Sequence, residues 1–284
     1  MTQHTSLTLP APAKLNLFLH VTGRRPDGYH TLESLVVPID RADLVTLSLR
    51  DDDAVTRTHG AAGVAADDDL AVLAARLIQR ECGVARGVAI GVNKRVPMGA
   101  GLGGGSSDAA TVLLALNRMW RLGLSRETLM KLALKLGADV PFFVFGEPAF
   151  ARSVGEKLQA CSVPATWFVV VAPPIHVSTS EIFTATELTR DSESAKMSVF
   201  SEGYGRNDLQ PAAVARFQEI ADALEALRSV ASEAGTRMTG SGACVLATFA
   251  NEQAAQQALS RLPPCGMTGF VARALDRHPL WSFA

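Results

Sequence analysis

The stretch PMGAGLGGGSSD, residues 97–108, constrains what this chain can fold into more than any other segment. Gly99, Gly101, Gly103, Gly104 and Gly105 run through Ser106 and Ser107 into an apolar segment that reads as a helix over 107–122, buried on most sides and closed by Gly123. Glycines let a backbone take positive φ and approach an anion closely, so several N–H groups can converge on phosphate oxygens at the positive end of the helix. The alternative is a flexible linker, although a linker rarely runs straight into a buried helix. Gly99, Gly101 and Gly104 spell G-x-G-x-x-G, a weak signal by itself. A dinucleotide fold would put it after the first strand of a parallel βαβ run, and here several strand-like segments come first. No G-K-[ST] closes the loop, so a lysine serving phosphates must come from elsewhere.

The balance of charge makes such a local device necessary. Lys and Arg number 27 against 28 Asp and Glu, so the formal net charge of −1 supplies no basic field of the kind nucleic-acid binders use. With 48% hydrophobic and 19% charged residues over 284 positions, the chain is expected to be globular, with about two domains. Neither a secretory leader pattern nor an unbroken apolar run of about 18 residues is evident, which predicts a cytoplasmic protein with no membrane partner. Cys82, Cys161, Cys244 and Cys265 form no CxxC pair and have no clustered His, so they read as buried or idle thiols and the metal ligands stay unassigned.

Residues 13–22 alternate, with Leu15, Leu17, Leu19 and Val21 on one face and Lys14, Asn16, Phe18 and His20 on the other. Turn chemistry over 24–28 separates this strand from a second extended segment, 29–39, and a short strand follows at 43–49. Residues 51–66 read as a polar loop. Asp67, Asp68 and Asp69 suit the positive end of a helix that runs to Gly83. A strand is expected at 88–92, a Ser125-capped helix ending at Gly137, and β-rich runs at 142–145 and 167–172. Residues 178–204 are polar, with a mobile-looking middle at 191–196. Helix (211–233), strand and glycine turn (237–249), helix (252–262) and strand (268–275) then mark a second α+β unit from about residue 160.

Several residues could carry chemistry. Asp139 lies between the Gly137 helix stop and an apolar run, a setting that suits either a partly desolvated cleft carboxylate or a turn aspartate bonding its own backbone. Lys14, in a Leu-rich strand, reads first as a solvated edge; facing Asp139, it would pair with that carboxylate and help orient a hydroxyl. Tyr29, one of only two tyrosines with Tyr204, and His30 follow the Pro-Asp-Gly turn. They suit stacking on a nucleobase and reading its edge, or an ordinary core pair. Thr239-Gly240-Ser241-Gly242 is either a tight turn or a second phosphate-facing loop.

In this order, AKLNLFLHVTGRRPDGYH, PMGAGLGGGSSDAA, LGADVPFFV and MTGSGACV closely resemble the GHMP kinase superfamily, over about residues 12–275. The resemblance implies a two-domain α+β fold, with a ribosomal-protein-like N-terminal domain over 1–158, a ferredoxin-like α+β C-terminal domain over 159–284, and the active site between them. It implies ATP-dependent phosphorylation of a small-molecule alcohol with Mg²⁺. AKLNL followed by DGYH is most like the member that acts on a cytidyl diphosphate sugar alcohol. Pro97, Met98, Gly99, Ala100, Gly101, Leu102, Gly103, Gly104, Gly105, Ser106 and Ser107 would wrap the ATP phosphates, with Lys94 by the adenine. Lys14 and Asp139 would be the catalytic pair, with Asn16 at the sugar alcohol. Tyr29 and Phe183 would sandwich the cytosine, with His30 reading its edge and Thr179 nearby, while Gly240, Ser241 and Gly242 would close over the reacting centre. Asp69 stands where the superfamily member commonly has Asn, which puts an adenine contact there in doubt. A monomer or homodimer is expected. The alternatives are another GHMP kinase acting on mevalonate, homoserine or a sugar, a non-catalytic nucleotide-binding regulator, and an RNA-binding module. The near-zero charge argues against RNA, and the presence of both Lys14 and Asp139 argues against a dead kinase.

Overall fold

The computed structural model describes residues 6–195, 205–231, 235–263 and 266–284; Tyr204, Lys196 and Cys265 lie outside the described residues. Strands β1 (Ser6–Arg24) and β2 (His30–Leu49) form a long antiparallel hairpin. Both exceed the sequence expectation, since the segments read at 29–39 and 43–49 are one continuous strand. Along the other edge of β2 lie β4 (Val88–Asn93), paired with Leu44–Leu49, and β5 (Ala149–Ser153), paired with Leu32–Val36. The sheet is completed by β3 (Val55–His59), parallel to β4, and β6 (Lys157–Ala160), antiparallel to β5. The polar stretch read as a loop over 51–66 thus contains a strand: Val55, Thr56 and Thr58 have little apolar periodicity, and pairing to β4 supplies what propensity does not.

Helices α1 (Leu70–Glu81), α2 (Gly104–Met119), α3 (Arg126–Leu134) and α4 (Val140–Phe145) cover one face of this sheet. Asp69 caps α1 by accepting from the Ala71 N–H, and Ser125 caps α3 through Thr128, both as the sequence predicts. Two elements differ. Helix α2 starts three residues earlier, at Gly104, so Gly104 and Gly105 belong to its first turn. Residues 142–145, read as β-rich, are helical, because Pro141 fits the first turn and Gly146 stops it at φ 76°.

The second sheet is wholly antiparallel, in the order β10 (Thr268–Arg273), β7 (Trp167–Ala172), β9 (Val245–Phe249), β8 (Arg237–Met238). Helices α6 (Gln210–Arg216), α7 (Gln218–Arg228) and α8 (Glu252–Ser260) pack on it, and α5 (Thr179–Phe183) precedes them. The single helix expected over 211–233 is broken at Phe217, whose extended backbone caps α6 and opens α7. Residues 191–195 are tied down rather than loose. Ser192 N–H donates to Val21 O, Ser192 Oγ to Asp208, and Ala195 N–H and Ser194 Oγ to the Glu33 carboxylate.

The two sheets share a third core of Ala13, Leu15, Leu17, Val37, Phe168, Val170 and Leu246. This explains why β1 is buried on both faces from Ala11 to Val21, and why β-bulges at Pro12/Lys14 and Asn16/Phe18 interrupt its alternation. Each large side chain buried there is worth about 1.5–3 kcal/mol. Leu19 also bridges to Asn207, and Ile39 to Ala274. The chain end returns to the first sheet's helices, where the Arg126 guanidinium lies 3.8 Å over the Trp281 ring. Burial pushes the Cys161 thiol up to about 11 and Cys244 to about 12, so both are inert thiols near neutrality. Among the described residues no helix is long and apolar enough to cross a membrane.

Candidate active site

A cavity of about 1240 Å³ opens where the first sheet's hairpin, the glycine loop and the second sheet's loops meet. Single-ligand pockets typically hold roughly 300–1,000 Å³, so this one has room for two small molecules side by side. It brings together Lys14, Asn16, Tyr29, His30, Lys94, the loop from Pro97 to Ser106, Asp139, Thr179, Phe183 and Gly240 to Gly242. Ser107 is not in this wall: it is fully buried, and its Oγ donates to Pro12 O at 2.6 Å, anchoring α2 to β1.

The glycine loop is held from three sides. Leu102 O accepts from Lys14 N–H, Gly99 O from Val177 N–H and Ala100 O from Cys244 N–H. Gly101 and Gly103 have φ of 79° and 70°. A Cβ on Gly101 would lie 2.7 Å from Thr239 O, so the close approach of the 239–242 loop itself demands glycine. Gly103 is the N-cap of α2 and offers no side-chain acceptor, which leaves the first-turn N–H groups of a 16-residue helix facing the cavity.

Lys14 and Asn16 are buried, not at a solvated edge. The third core covers one face of β1, and Lys14 and Asn16, two residues apart in an unbroken register, share the other, so that Lys14 Nζ donates to Asn16 Oδ1 at 2.5 Å. Asn16 Nδ2 donates onward to Ser34 Oγ, and Asn16 N–H to Thr239 Oγ1. Lys14 Nζ stands 3.8 Å from Asp139 Oδ2. Asp139 caps no backbone group of α4 and its side chain is 57% exposed, so it is neither a self-bonded turn aspartate nor desolvated. A fixed ammonium thus faces a solvated carboxylate beside an anion-ready helix end.

At the other end, Arg25 N–H donates to Tyr29 O and Tyr29 N–H to Asp27 Oδ1, a tight turn that delivers His30 as the first residue of β2. Tyr29 is 64% exposed, so it is no core tyrosine. The His30 ring stacks on Phe183 at 5.2 Å and 26°. Burial first, then the charges of Arg190 and Arg24, lower the His30 pKa and keep the ring neutral near pH 7. Thr179 Oγ1 and Ser241 Oγ lie 2.8 Å apart, linking α5 to the 239–242 loop across the cavity.

Lys94 lines the cavity, but its ammonium is committed to Asp43 and to Asp108 Oδ2 at 2.8 Å. Burial pushes the Asp108 carboxyl up to about 7 against the pull of Lys94, and its Oδ1 has no hydrogen-bond partner. Asp43 also accepts from Arg95 and Val96 N–H, fixing the strand end that leads into the glycine loop. Asp69 is occupied on both oxygens, by Ala71 N–H and by Arg57 at 3.0 Å.

Sequence reading missed Asp43, Asp108, Asn207 and Arg190. Asn207 Nδ2 donates to Met238 O and Gly240 O, each at 2.8 Å, and so shapes the 239–242 loop. Asp108 had a signal, an acidic residue one turn into an otherwise apolar helix, and Asp43 falls on the buried face of the strand read at 43–49; Asn207 and Arg190 sit in stretches without periodicity. Among the described residues no cluster of three or more His, Cys, Asp or Glu is placed to hold a metal.

Comparison with known proteins adds the following. Residues 69–147 match the GHMP kinases N terminal domain and residues 188–265 the GHMP kinases C terminal family. A 4-diphosphocytidyl-2-C-methyl-D-erythritol kinase of Thiobacillus denitrificans is 56% identical over 98% of this chain and 99% of its own. One from Nitrosospira multiformis is 52% identical over 98% and 94%. A crystal structure of 4-(cytidine 5'-diphospho)-2C-methyl-D-erythritol kinase superposes with a TM-score of 0.81 at 34% identity, covering 94% of this chain and 99% of that one. A homoserine kinase from Cytophaga hutchinsonii shares the fold, with a TM-score of 0.73 at 17% identity, over 98% of this chain and 97% of its own.

Proposed function

The chain belongs to the GHMP kinase family, and we propose that it transfers the γ-phosphoryl group of ATP to the 2-hydroxyl of 4-diphosphocytidyl-2-C-methyl-D-erythritol, giving the 2-phosphate and ADP. The observation that carries the substrate class is the shape of this cavity. The glycine loop and the Lys14–Asp139 pair lie at one part of its wall and the exposed Tyr29 with the His30–Phe183 stack at another, which suits an alcohol carrying a nucleobase. On this reading the chain divides into an ATP-binding unit over 1–158 and a substrate-closing unit over 159–284.

Phosphoryl transfer needs in-line positioning and charge neutralisation more than covalent help. The uncapped first-turn N–H groups of α2 and the loop amides receive the phosphates. Asp139 accepts or orients the proton of the attacking hydroxyl, a role worth about 10²- to 10⁴-fold. Lys14, held by Asn16, offsets negative charge developing on the transferred group. Asn16, Thr179 and the Gly240-Ser241-Gly242 loop hold the sugar alcohol, while Tyr29 and Phe183 take the faces of the cytosine and His30 its edge. Lys94 lies by the adenine end, locked by Asp43 and Asp108. Mg²⁺ would supply charge neutralisation on the phosphates, with Ser106 of the glycine loop as the side chain that would stand beside it.

An ADP-release assay with the cytidyl substrate, mevalonate, homoserine and galactose tests this. Turnover of the cytidyl substrate alone is expected, and equal turnover of a substrate without a nucleobase overturns the proposal.

A further inference from the structure

Arg190 lies just before the residues pinned to β1 and β2, in a polar segment with no motif, yet it lines the cavity and all three of its side-chain nitrogens donate hydrogen bonds. Nε donates to His30 Nε2 at 3.2 Å, NH1 to Leu188 O at 3.1 Å, and NH2 to Phe183 O at 3.3 Å and Ala185 O at 2.6 Å. One side chain therefore grips both members of the His30–Phe183 stack, the histidine by its ring and the phenylalanine by its main chain. All these acceptors are neutral, so none of them offsets the positive charge beside the imidazole.

An Arg N–H can only donate, so the nitrogen it meets must present a lone pair. His30 Nε2 is therefore unprotonated, and the neutral ring carries its proton on Nδ1. A second donor, Nε2–H, would face the guanidinium N–H with no acceptor between them. We propose that Arg190 is a positioning residue that locks His30 as a Nδ1–H donor, and that this lock makes the site prefer a cytosine over a uracil base. Cytosine presents a lone pair at N3, whereas uracil presents N3–H. A donor fixed at Nδ1 pairs with the first and opposes the second, and a buried donor left without an acceptor costs binding.

The lock adds to the effect of burial on His30. Burial first, then the charges of Arg190, from the segment after α5, and Arg24, at the end of β1, oppose a second proton on the ring. Rotamer freedom is restricted too, since the ring is clamped between the Phe183 face and the guanidinium fork. An arginine suits this task better than a lysine, because its planar fork can serve the ring and three carbonyls at once.

The inference rests on the cytidyl reading above, and its test separates the two. In the ligand-free wild-type protein, ¹⁵N NMR of the histidine side chains should show His30 protonated at Nδ1, with a titration midpoint below the ordinary value of about 6.5. Arg190→Gln should move that midpoint up toward the ordinary value and release the tautomer, and Arg190→Lys should keep the midpoint low while losing the fixed tautomer. In kinetics, wild type should favour the cytidyl substrate over its uridyl analogue by about 10- to 100-fold in kcat/KM, and Arg190→Gln should cut that ratio by about 10-fold. The NMR arm stands even if the wild type turns over neither substrate, an outcome that would sink the cytidyl reading alone. An unchanged His30 tautomer and midpoint in Arg190→Gln overturns the lock. An equal rise in KM for both analogues, with the ratio preserved, overturns the selectivity and leaves Arg190 as packing only.

Discussion

Gly101→Ala is the sharpest probe of the loop architecture, because it adds one methyl where two backbone segments touch. Its Cβ would lie 2.7 Å from Thr239 O and 2.9 Å from Gly242 O, so the loops must part by about half an ångström to reach ordinary contact. Alanine at φ 79° adds left-handed strain of about 1–2 kcal/mol, and forced overpacking adds about 1–3 kcal/mol. At about 2–4 °C per kcal/mol, the melting temperature should fall by roughly 5–15 °C. Kinetics should suffer as well, since Asn16 bonds Thr239 and misplacement of about 1 Å at a reacting centre can cost about 10²-fold. A kcat loss of about 10-fold or more is expected. Gly105→Ala is the control four residues on: its Cβ meets only Leu70 Cδ1 at 3.7 Å, within the first turn of α2. Alanine there should stabilise the helix by about 0.5–1 kcal/mol. Both variants are read by differential scanning calorimetry and ADP release. Equal melting temperatures, or a Gly101→Ala enzyme as fast as wild type, would refute the reasoning.

Asp139→Asn should lower kcat by about 10²- to 10⁴-fold with KM for ATP nearly intact; an unchanged kcat removes Asp139 from the mechanism. Tyr29→Ala should raise KM for the cytidyl substrate by about 5- to 100-fold, the worth of one stacked base, and leave the melting temperature alone because the ring is exposed. An effect confined to ATP counts against stacking. Asp108 is raised in the folded state, to about 7, above its ordinary unfolded value, so its contribution is fully present at low pH and is lost as pH rises from about 4 through 7. Urea unfolding of wild type and Asp108→Asn across that range should show the variant gaining relative stability with pH, and a flat difference refutes the assignment. Asn207→Leu removes two bonds to the Met238 and Gly240 carbonyls and one from Leu209 N–H, so it should cost at least about 3 kcal/mol and lower kcat through the 239–242 loop. Full activity in that variant would show that the loop holds its shape without Asn207.

What was legible in the sequence was local. Asp69 and Ser125 announce helix starts because a cap needs only its own next turn, and Gly83 and Gly123 announce stops for the same reason. The glycine loop was legible because its chemistry is its backbone. Where local preference and tertiary pairing disagree, pairing wins. Val55 to His59 becomes a strand because β4 lies beside it. Val140 to Phe145 is a different case: its apolar run reads as β-rich, but the local start at Pro141 and stop at Gly146 make it a helix. β1 shows the sharpest case: its period of two predicts one buried face with Lys14 and Asn16 on a solvated one, but both faces are buried from Ala11 to Val21 and these two polar side chains line the cavity.

Asp108 apart, the functional residues that escaped share one property: each acts through a partner far along the chain. Asp43 meets Lys94 because Leu44 pairs with Asn93, a register that neither segment encodes alone. Asn207 meets Gly240 because β1 bridges to it at Leu19, and Arg190 meets His30 across 160 positions. These side chains contact the backbone or another side chain, not a motif, so no spacing rule exposes them. The consequence for the site is physical. Lys14 is buried and bonded by Asn16, His30 is clamped by Arg190 and Phe183, and the glycine loop is pinned by Leu102, Gly99 and Ala100 carbonyls. Asp139 alone among the proposed reacting and base-reading residues, Tyr29 apart, stands solvated and uncapped. A carboxylate left free while its neighbours are fixed is the group that substrate must desolvate on arrival, so most of the ordering cost on binding should fall on Asp139 and Tyr29 rather than on the loop.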